Sequence, residues 1–277
     1  MRFSGEDALA VVEEQVALGI RAPGTPGHEA LVALLGERLT ALGLAVENQR
    51  WEVPLSMAPD GVAPLTNVLA RIRGREPGPT TLVSTHYDSR WIADNEPDPA
   101  LRSEPIPGAN DGGSGTAVQL ELARVLCQEP PRHDVILGFM DGEDLGDIEG
   151  HEFAAGSAHM VDHPGSMAPD EVISLDMVGG QDMRLNIEVN SLCHSDRGRQ
   201  MFEALFRLGR SMGLAPFFAN EVRAIRSDHW PWIEAGLPAV LLIDIDYPFW
   251  HTHGDLPGAC SASSLEAVGR VLLEYLS

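Results

Sequence analysis

The apolar positions of this chain fall into two successive patterns. Over residues 6–43 they recur at helical spacing, with Leu31, Leu34, Leu35 and Leu39 on one face, and the run is broken once by RAPGTPG at 21–27. This predicts two helices joined by a Pro/Gly loop. WEVPL and LTNVLARIRG then alternate with the period of strands, with turn residues between them, which predicts an antiparallel edge.

From residue 81 the pattern changes. TTLVSTHYD, VILGFMD, VISLDMV and AVLLIDID are near-continuous apolar runs, as expected of strands covered on both faces. LNIEVN reads as a further strand. Between them, 114–127 and 198–212 have helical periodicity, as does a C-terminal segment opened by the serines of 261–264 and carrying Leu265, Val268 and Leu272. The sum is an α/β fold spanning 1–277 as a single domain: a central mixed, mostly parallel sheet with helices on both faces. Two irregular stretches, 89–108 and 145–157, follow strand ends and read as structured loops over a cleft.

Composition narrows the function. At 277 residues and 44% hydrophobic content the chain can bury a full core. Lys and Arg number 19 against 41 Asp and Glu, a net charge of −22 spread along the chain. Such a field disfavours nucleic acid and anionic membranes as partners and attracts cations, including the ammonium of a free peptide N-terminus. A solvated acidic coat accounts for the charge equally well. The chain has no lysine, which excludes Schiff-base chemistry, pyridoxal phosphate attachment and a P-loop. Three distant cysteines, Cys127, Cys193 and Cys260, give neither a paired disulfide framework nor a metal-binding spacing. No apolar run approaches the roughly 20 residues of a membrane span, and the first residues carry acids where a secretion signal is basic, so the expected location is the cytoplasm.

Five motifs carry the chemistry, each at or just after a predicted strand: His86 in TTLVSTHYDS, Asp111 in PGANDGGSG, Glu143 and Asp144 in FMDGED, Asp176 in ISLDMVG, and His251 in YPFWHTHGD. Imidazole nitrogen and carboxylate oxygen in this mixture suit zinc, and all five can converge at one end of a sheet. Asp111, Asp144 and His251 would supply three ligands, leaving a position open for water or substrate. His86 and Asp176 would complete a second site that shares Asp111. Asp88, two residues beyond His86, is placed to orient that imidazole through its other nitrogen. Glu143 and Asp144 are adjacent, so at an extended strand end one can ligate while the other faces substrate as a proton carrier. Trp250 and Phe249 beside His251 are candidate walls of a small apolar pocket, and Tyr247 reads as core. His253 competes with His251 as ligand, and the aromatic-His-Thr context favours His251. His28, His133, His151, His159, His163 and His194 read as bystanders.

At these residues the chain resembles the zinc-dependent M28 aminopeptidase superfamily, and within it the animal-type glutaminyl cyclases and their bacterial relatives. The similarity runs nearly end to end, through QVALGIRAPGTPGHEA, HYDSRWIADNEPDP, PIPGANDGGSGTAVQLELARVL, DGED, SDHWPWIEAGLPAV and DYPFWHTHGD. It implies an aminopeptidase/phosphorylase-like fold, Asp111, Asp144 and His251 as zinc ligands, Glu143 as general acid and base, and Asp176 as an acidic partner in catalysis. It also implies His86 and Asp176 as the extra ligands of a two-zinc peptidase, whereas the cyclases are described with one zinc; one ion or two remain open. HYDSRWIADNEPDP and the tryptophan before His251 favour the cyclases. Ser227 departs from them: in Ser227-Asp228-His229 the cyclases commonly carry two aspartates, with Asp228 supporting the proton carrier. The expected activity is conversion of an N-terminal glutamine to pyroglutamate with release of ammonia. The alternatives are an aminopeptidase and a non-catalytic binding module, and the intact ligand set argues against the last.

Overall fold

The computed structural model describes residues 2–277. Helices α1 (Gly5–Ala17) and α2 (Pro26–Ala41) flank the predicted break. Ser4 opens α1 by accepting from the Asp7 N–H; the break follows because Gly19, at φ +94°, ends that helix, and Thr25 opens α2 by accepting from the His28 N–H, with proline tolerated in the first turn. Strands β1 (Val46–Pro54) and β2 (Val62–Ile72) pair antiparallel as the predicted edge.

There follow β3 (Thr81–His86), α3 (Gly113–Leu126), β4 (Val135–Met140), α4 (Ala155–Asp162), β5 (Glu171–Asp176), β6 (Ile187–Glu188), α5 (Val189–Cys193) and α6 (Asp196–Ser211). The chain closes with β7 (Val222–Arg223), α7 (Trp230–Glu234), β8 (Ala239–Ile243) and α8 (Ala262–Leu276). LNIEVN is not the strand its composition suggests. Only Ile187 and Glu188 are extended, paired with β7 in a separate two-stranded sheet. The Glu188 carboxylate accepts the N–H groups of Asn190 and Ser191 and so caps a helix where the strand would have continued.

The main sheet runs β1-β2-β4-β3-β5-β8. β3 is parallel to β4 and β5, and β5 to β8, while β2 is antiparallel to both its neighbours. Consecutive residues of these strands face opposite layers. Leu82, Ile136, Val172 and Ala239 pack with Met160 of α4 and Trp232 of α7. Val83, Leu137, Ile173 and Val240 pack with α1, α2, α3, α6 and α8 through residues such as Val12, Leu35, Leu122, Leu205 and Leu272. Each fully buried aliphatic side chain contributes about 1.5–3 kcal/mol by leaving water, which is why both faces of the central strands carry aliphatic residues, with polar ones such as Ser84 and Ser174 paired to each other by a hydrogen bond. Because the four parallel strands run the same way, His86, Met140, Asp176 and Ile243 end at one edge. Among the described residues no helix is long and apolar enough to cross a membrane.

Candidate metal centre

All the predicted ligands meet at that edge, in two overlapping triads: His86 with Asp111 and Asp176, and Asp111 with Asp144 and His251. All five are buried. His86 Nε2 lies 3.2 Å from Asp111 Oδ1 and 3.4 Å from Asp176 Oδ1. His251 Nε2 lies 3.2 Å from Asp144 Oδ1 and 3.6 Å from Asp111 Oδ2. Oxygen and nitrogen atoms held about 2.0–2.2 Å from a tetrahedral zinc stand about 3.3–3.6 Å from one another; the imidazole-to-carboxylate distances of both triads are close to that spacing, and all the donor atoms of each triad lie within 4.8 Å of one another. Asp111 Oδ2 and Asp144 Oδ2 are moreover buried without a hydrogen-bond partner. Buried carboxylate oxygens left in that state are costly, and a cation between them answers the cost. The donor set therefore fits zinc.

The backbone that aims these groups is tightly turned. Asp111 precedes Gly112, at φ +78°, where an added Cβ would stand 2.6 Å from the carbonyl oxygen of Asp88. His251 itself has φ +55°, a conformation a β-carbon disfavours and one that surrounding contacts must enforce. Glu143 and Asp144 do not lie on an extended strand end as expected. They occupy a single 3₁₀ turn at Glu143–Leu145 after the left-handed Gly142, which leaves Glu143 facing the cleft and Asp144 facing His251. Asp88 fixes that turn: its carboxylate accepts the N–H groups of Glu143 and Asp144 at 3.3 and 3.2 Å, while standing 3.5 Å from His86 Nδ1. It therefore ties the two motifs together in addition to facing the imidazole.

Three residues that the sequence did not single out complete the support. Asp94, within the loop after β3, lies 2.9 Å from His251 Nδ1, so that nitrogen donates and Nε2 is left free toward the carboxylates. Arg90 holds Asp94 through two nitrogens and reaches the backbone carbonyls of Asp144 and Gly146. Asp255, the last residue of YPFWHTHGD, accepts the N–H groups of Asn110 and Asp111 and the hydroxyl of Tyr247. His253, by contrast, binds Glu96 at 3.1 Å and is no part of either triad.

The concentrated charge moves the acids in opposite directions. Burial, then the charge of Asp144, pushes Asp111 up to about 7. Burial pushes Asp144 up too, but its bond to His251 and the nearby positive charges outweigh that and hold it below the usual carboxylate range. His251 is raised to about 10 against its burial by Asp144 and Asp94. Glu143 is held well above the ordinary glutamate value, first by burial and then by Asp176 and Asp144, against the pull of His86. Asp228 is driven by burial up to about 7 and accepts from Ser157 Oγ; its neighbour Ser227 donates to Asp176 Oδ2 at 2.9 Å.

The triads open into a cleft of about 440 Å³ lined by Glu143, Asp176, Met177, Ile243 and Trp250 among others. Trp250 tilts against His251 with ring centroids 4.4 Å apart. Phe249 does not share the wall expected of it: its ring is 41% exposed, packs edge-on to Tyr247 and borders a neighbouring depression. His28 is no bystander either. It is buried behind the site, with Nε2 2.8 Å from Asp141 Oδ2, which also accepts from Tyr87 and from the Thr66 N–H.

Burial alone would lower the pKa of His28, but the Asp141 carboxylate raises it above its ordinary 6.5. A raised folded-state value means that protonated His28 stabilises the fold, fully below pH 6.5 and progressively less as pH climbs through the raised value. The melting-temperature difference between the wild type and His28→Gln is therefore expected to be largest below pH 6.5 and to shrink above it. A difference independent of pH would contradict this.

A mixed sheet whose four parallel strands gather buried carboxylates and imidazoles at their carboxyl ends defines a metal-dependent α/β enzyme. The match to the model of Peptidase family M28 covers residues 67–276, and the chain belongs to that family. It is similar to the structure of a Zn-dependent exopeptidase from Parabacteroides distasonis, at 29% identity and a TM-score of 0.90, covering 100% of this chain and 98% of that one. A glutaminyl cyclase from Bacteroides thetaiotaomicron is similar at 28% identity and a TM-score of 0.88, with the same coverage. In sequence, a glutaminyl-peptide cyclotransferase of Boiga irregularis is 25% identical over 93% of this chain and 78% of its own length. The chain spans half or less of the zinc metalloproteases that it matches, 49% of one and 16% of two others.

Proposed function

We propose that this protein is a zinc-dependent glutaminyl-peptide cyclotransferase acting on peptides or proteins with a free N-terminal glutamine. One observation carries the reading. The two segments in which the sequence resembles cyclases rather than peptidases lie against each other: Asp94 on His251 Nδ1, Asn95 on the carbonyls of Trp250 and His251, and Glu96 on the backbone and ring of His253. The loop after β3 thus fixes the tryptophan and the ligand histidine as one rigid wall. That wall suits a compact side chain folding back on itself beside the ion.

Asp111, Asp144 and His251 would hold the zinc, which when bound supplies a Lewis acid for the side-chain amide carbonyl. Glu143 takes the proton that the α-amine loses as its nitrogen bonds to the amide carbon, and delivers it to the departing ammonia as the carbon–nitrogen bond of the amide breaks. Burial suits it to that task by bringing its pKa toward the working pH. Asp176, braced by Ser227, receives the α-amine. The apolar cleft wall around Trp250 limits water, the competing nucleophile.

A second reading, a two-metal aminopeptidase in which Glu143 acts on a water, is favoured by the spacing of the His86–Asp111–Asp176 triad. Incubation with a Gln-initiated and a Leu-initiated peptide, read by mass, separates the two. Pyroglutamate from the first and no reaction with the second is expected. Release of a free first residue from either peptide would replace the proposal with the second reading.

A further inference from the structure

The cleft is lined by carboxylates and a single arginine. Asp147 and Glu152 line it from the loop after Glu143, and Arg226 from the segment before Ser227. Arg226 is the only arginine among the described residues lining the cleft, in a chain of net charge −22 without lysine. Its guanidinium lies 4.7 Å above the ring of Trp230, which fixes its position without neutralising it. No carboxylate among the described residues stands within 4.0 Å of it, although the chain holds 41 acidic residues. Most of the other arginines near the site are spent: Arg90 is tied to Asp94 and to backbone carbonyls, and Arg21 is buried against the carbonyls of Pro107 and Gly108.

An exposed cation held in place by an aromatic ring at the edge of a cleft, with no carboxylate among the described residues to pair with it, is a recognition group. We propose that Arg226 binds a carboxylate of the substrate that lies just beyond its first residue, so that the enzyme prefers peptides carrying a negative charge there. This rests on the reading that the cleft receives a peptide N-terminus. With the α-amine at Asp176, the chain leaves the cleft past its rim, and the acids that line the rest of the cleft turn away an anion anywhere else. The carboxylate has two sources, the C-terminus of a short peptide or an acidic side chain at the second position. Against the repulsion of the whole molecule, only a charge placed at the rim can produce such a preference.

Three substrates test it with the zinc-loaded protein: Gln-Gly as the free acid, Gln-Gly amide, and Gln-Glu amide, with the Leu-initiated series in parallel. Consumption of substrate is followed by mass, so that cyclisation and hydrolysis both register. Either carboxylate-bearing peptide is expected to exceed the neutral amide about fivefold in kcat/KM. That ratio is expected to fall to near one in Arg226→Gln, to persist in Arg226→Lys, and to shrink at high salt. The arm showing the preference identifies the source of the carboxylate. Equal rates for all three peptides in the wild type, or a preference that survives Arg226→Gln, overturns the inference. Pyroglutamate formed without preference leaves the cyclase reading standing while this inference fails; free first residues released with preference do the reverse. Consumption of no peptide in either series overturns both.

Discussion

Replacing Glu143 with glutamine is expected to lower kcat by about 10²–10⁴-fold while leaving zinc content nearly unchanged and the melting temperature no lower, since a buried carboxyl held above its ordinary value destabilises the fold once ionised. The side chain is isosteric, makes no contact with either imidazole, and faces the cleft from a turn that is fixed through its backbone by Asp88. What the substitution removes is the titrating carboxyl to which the proposed reaction assigns the proton transfer. Because the amide cannot titrate, any residual activity should lose the pH dependence conferred by a carboxyl held well above its ordinary range. Loss of metal together with activity would show instead that Glu143 is a ligand and that the division of labour on the 3₁₀ turn has been drawn the wrong way round.

The second large effect concerns Asp111, which belongs to both triads. Asp111→Asn is expected to abolish tight zinc binding and with it activity. Its effect on stability has opposite signs in two states. In the metal-free protein Asp111 is pushed up to about 7, chiefly by burial and by Asp144. A carboxyl with a raised folded-state value destabilises the fold increasingly as pH rises from its unfolded value, and fully above the folded one. Above pH 7, therefore, metal-free Asp111→Asn should melt higher than metal-free wild type. With zinc added the order should reverse, because a ligand at 1,000 times its Kd stabilises the wild type by about 4.1 kcal/mol and the variant not at all. Calorimetry in chelator and in zinc reads both signs. A variant less stable in both conditions would make Asp111 a structural acid and nothing more.

Much of this site was legible in the sequence, for a physical reason. A parallel sheet buried on both faces forces continuous apolar runs, so a strand end is visible as the place where a run stops and a charged residue begins. His86 and Asp176 stand at such places, and Asp144 follows the end of β4 by four residues, in the turn that the strand leads into. Asp94 and Asp255 were not visible as supports because the site residues they hold, His251 and Asp111, lie 157 and 144 residues away, in loops with no periodicity. Asp94 lies in HYDSRWIADNEPDP, where neither spacing nor composition marks it, and only tertiary folding gives it a role. LNIEVN was misleading because strand propensity competed with the capping ability of Glu188, and two hydrogen bonds to a carboxylate decided the outcome. Phe249 was adjacent in sequence to the right wall, yet its ring turned outward beside Tyr247 while Trp250 lined the cleft. His28 looked like a loop residue because its partner, Asp141, lies beyond the end of a distant strand.

Cyclisation and hydrolysis differ in one atom. In cyclisation the amine nitrogen displaces ammonia and no water enters the product; in hydrolysis an oxygen from solvent is retained in the released residue. The most direct test is a Gln-initiated peptide incubated with zinc-loaded protein in water enriched in heavy oxygen, with products weighed and ammonia counted. The account predicts a peptide lighter by one ammonia, free of heavy oxygen, formed with one equivalent of ammonia and abolished in Glu143→Gln. Free glutamine bearing solvent oxygen in its carboxylate would contradict it.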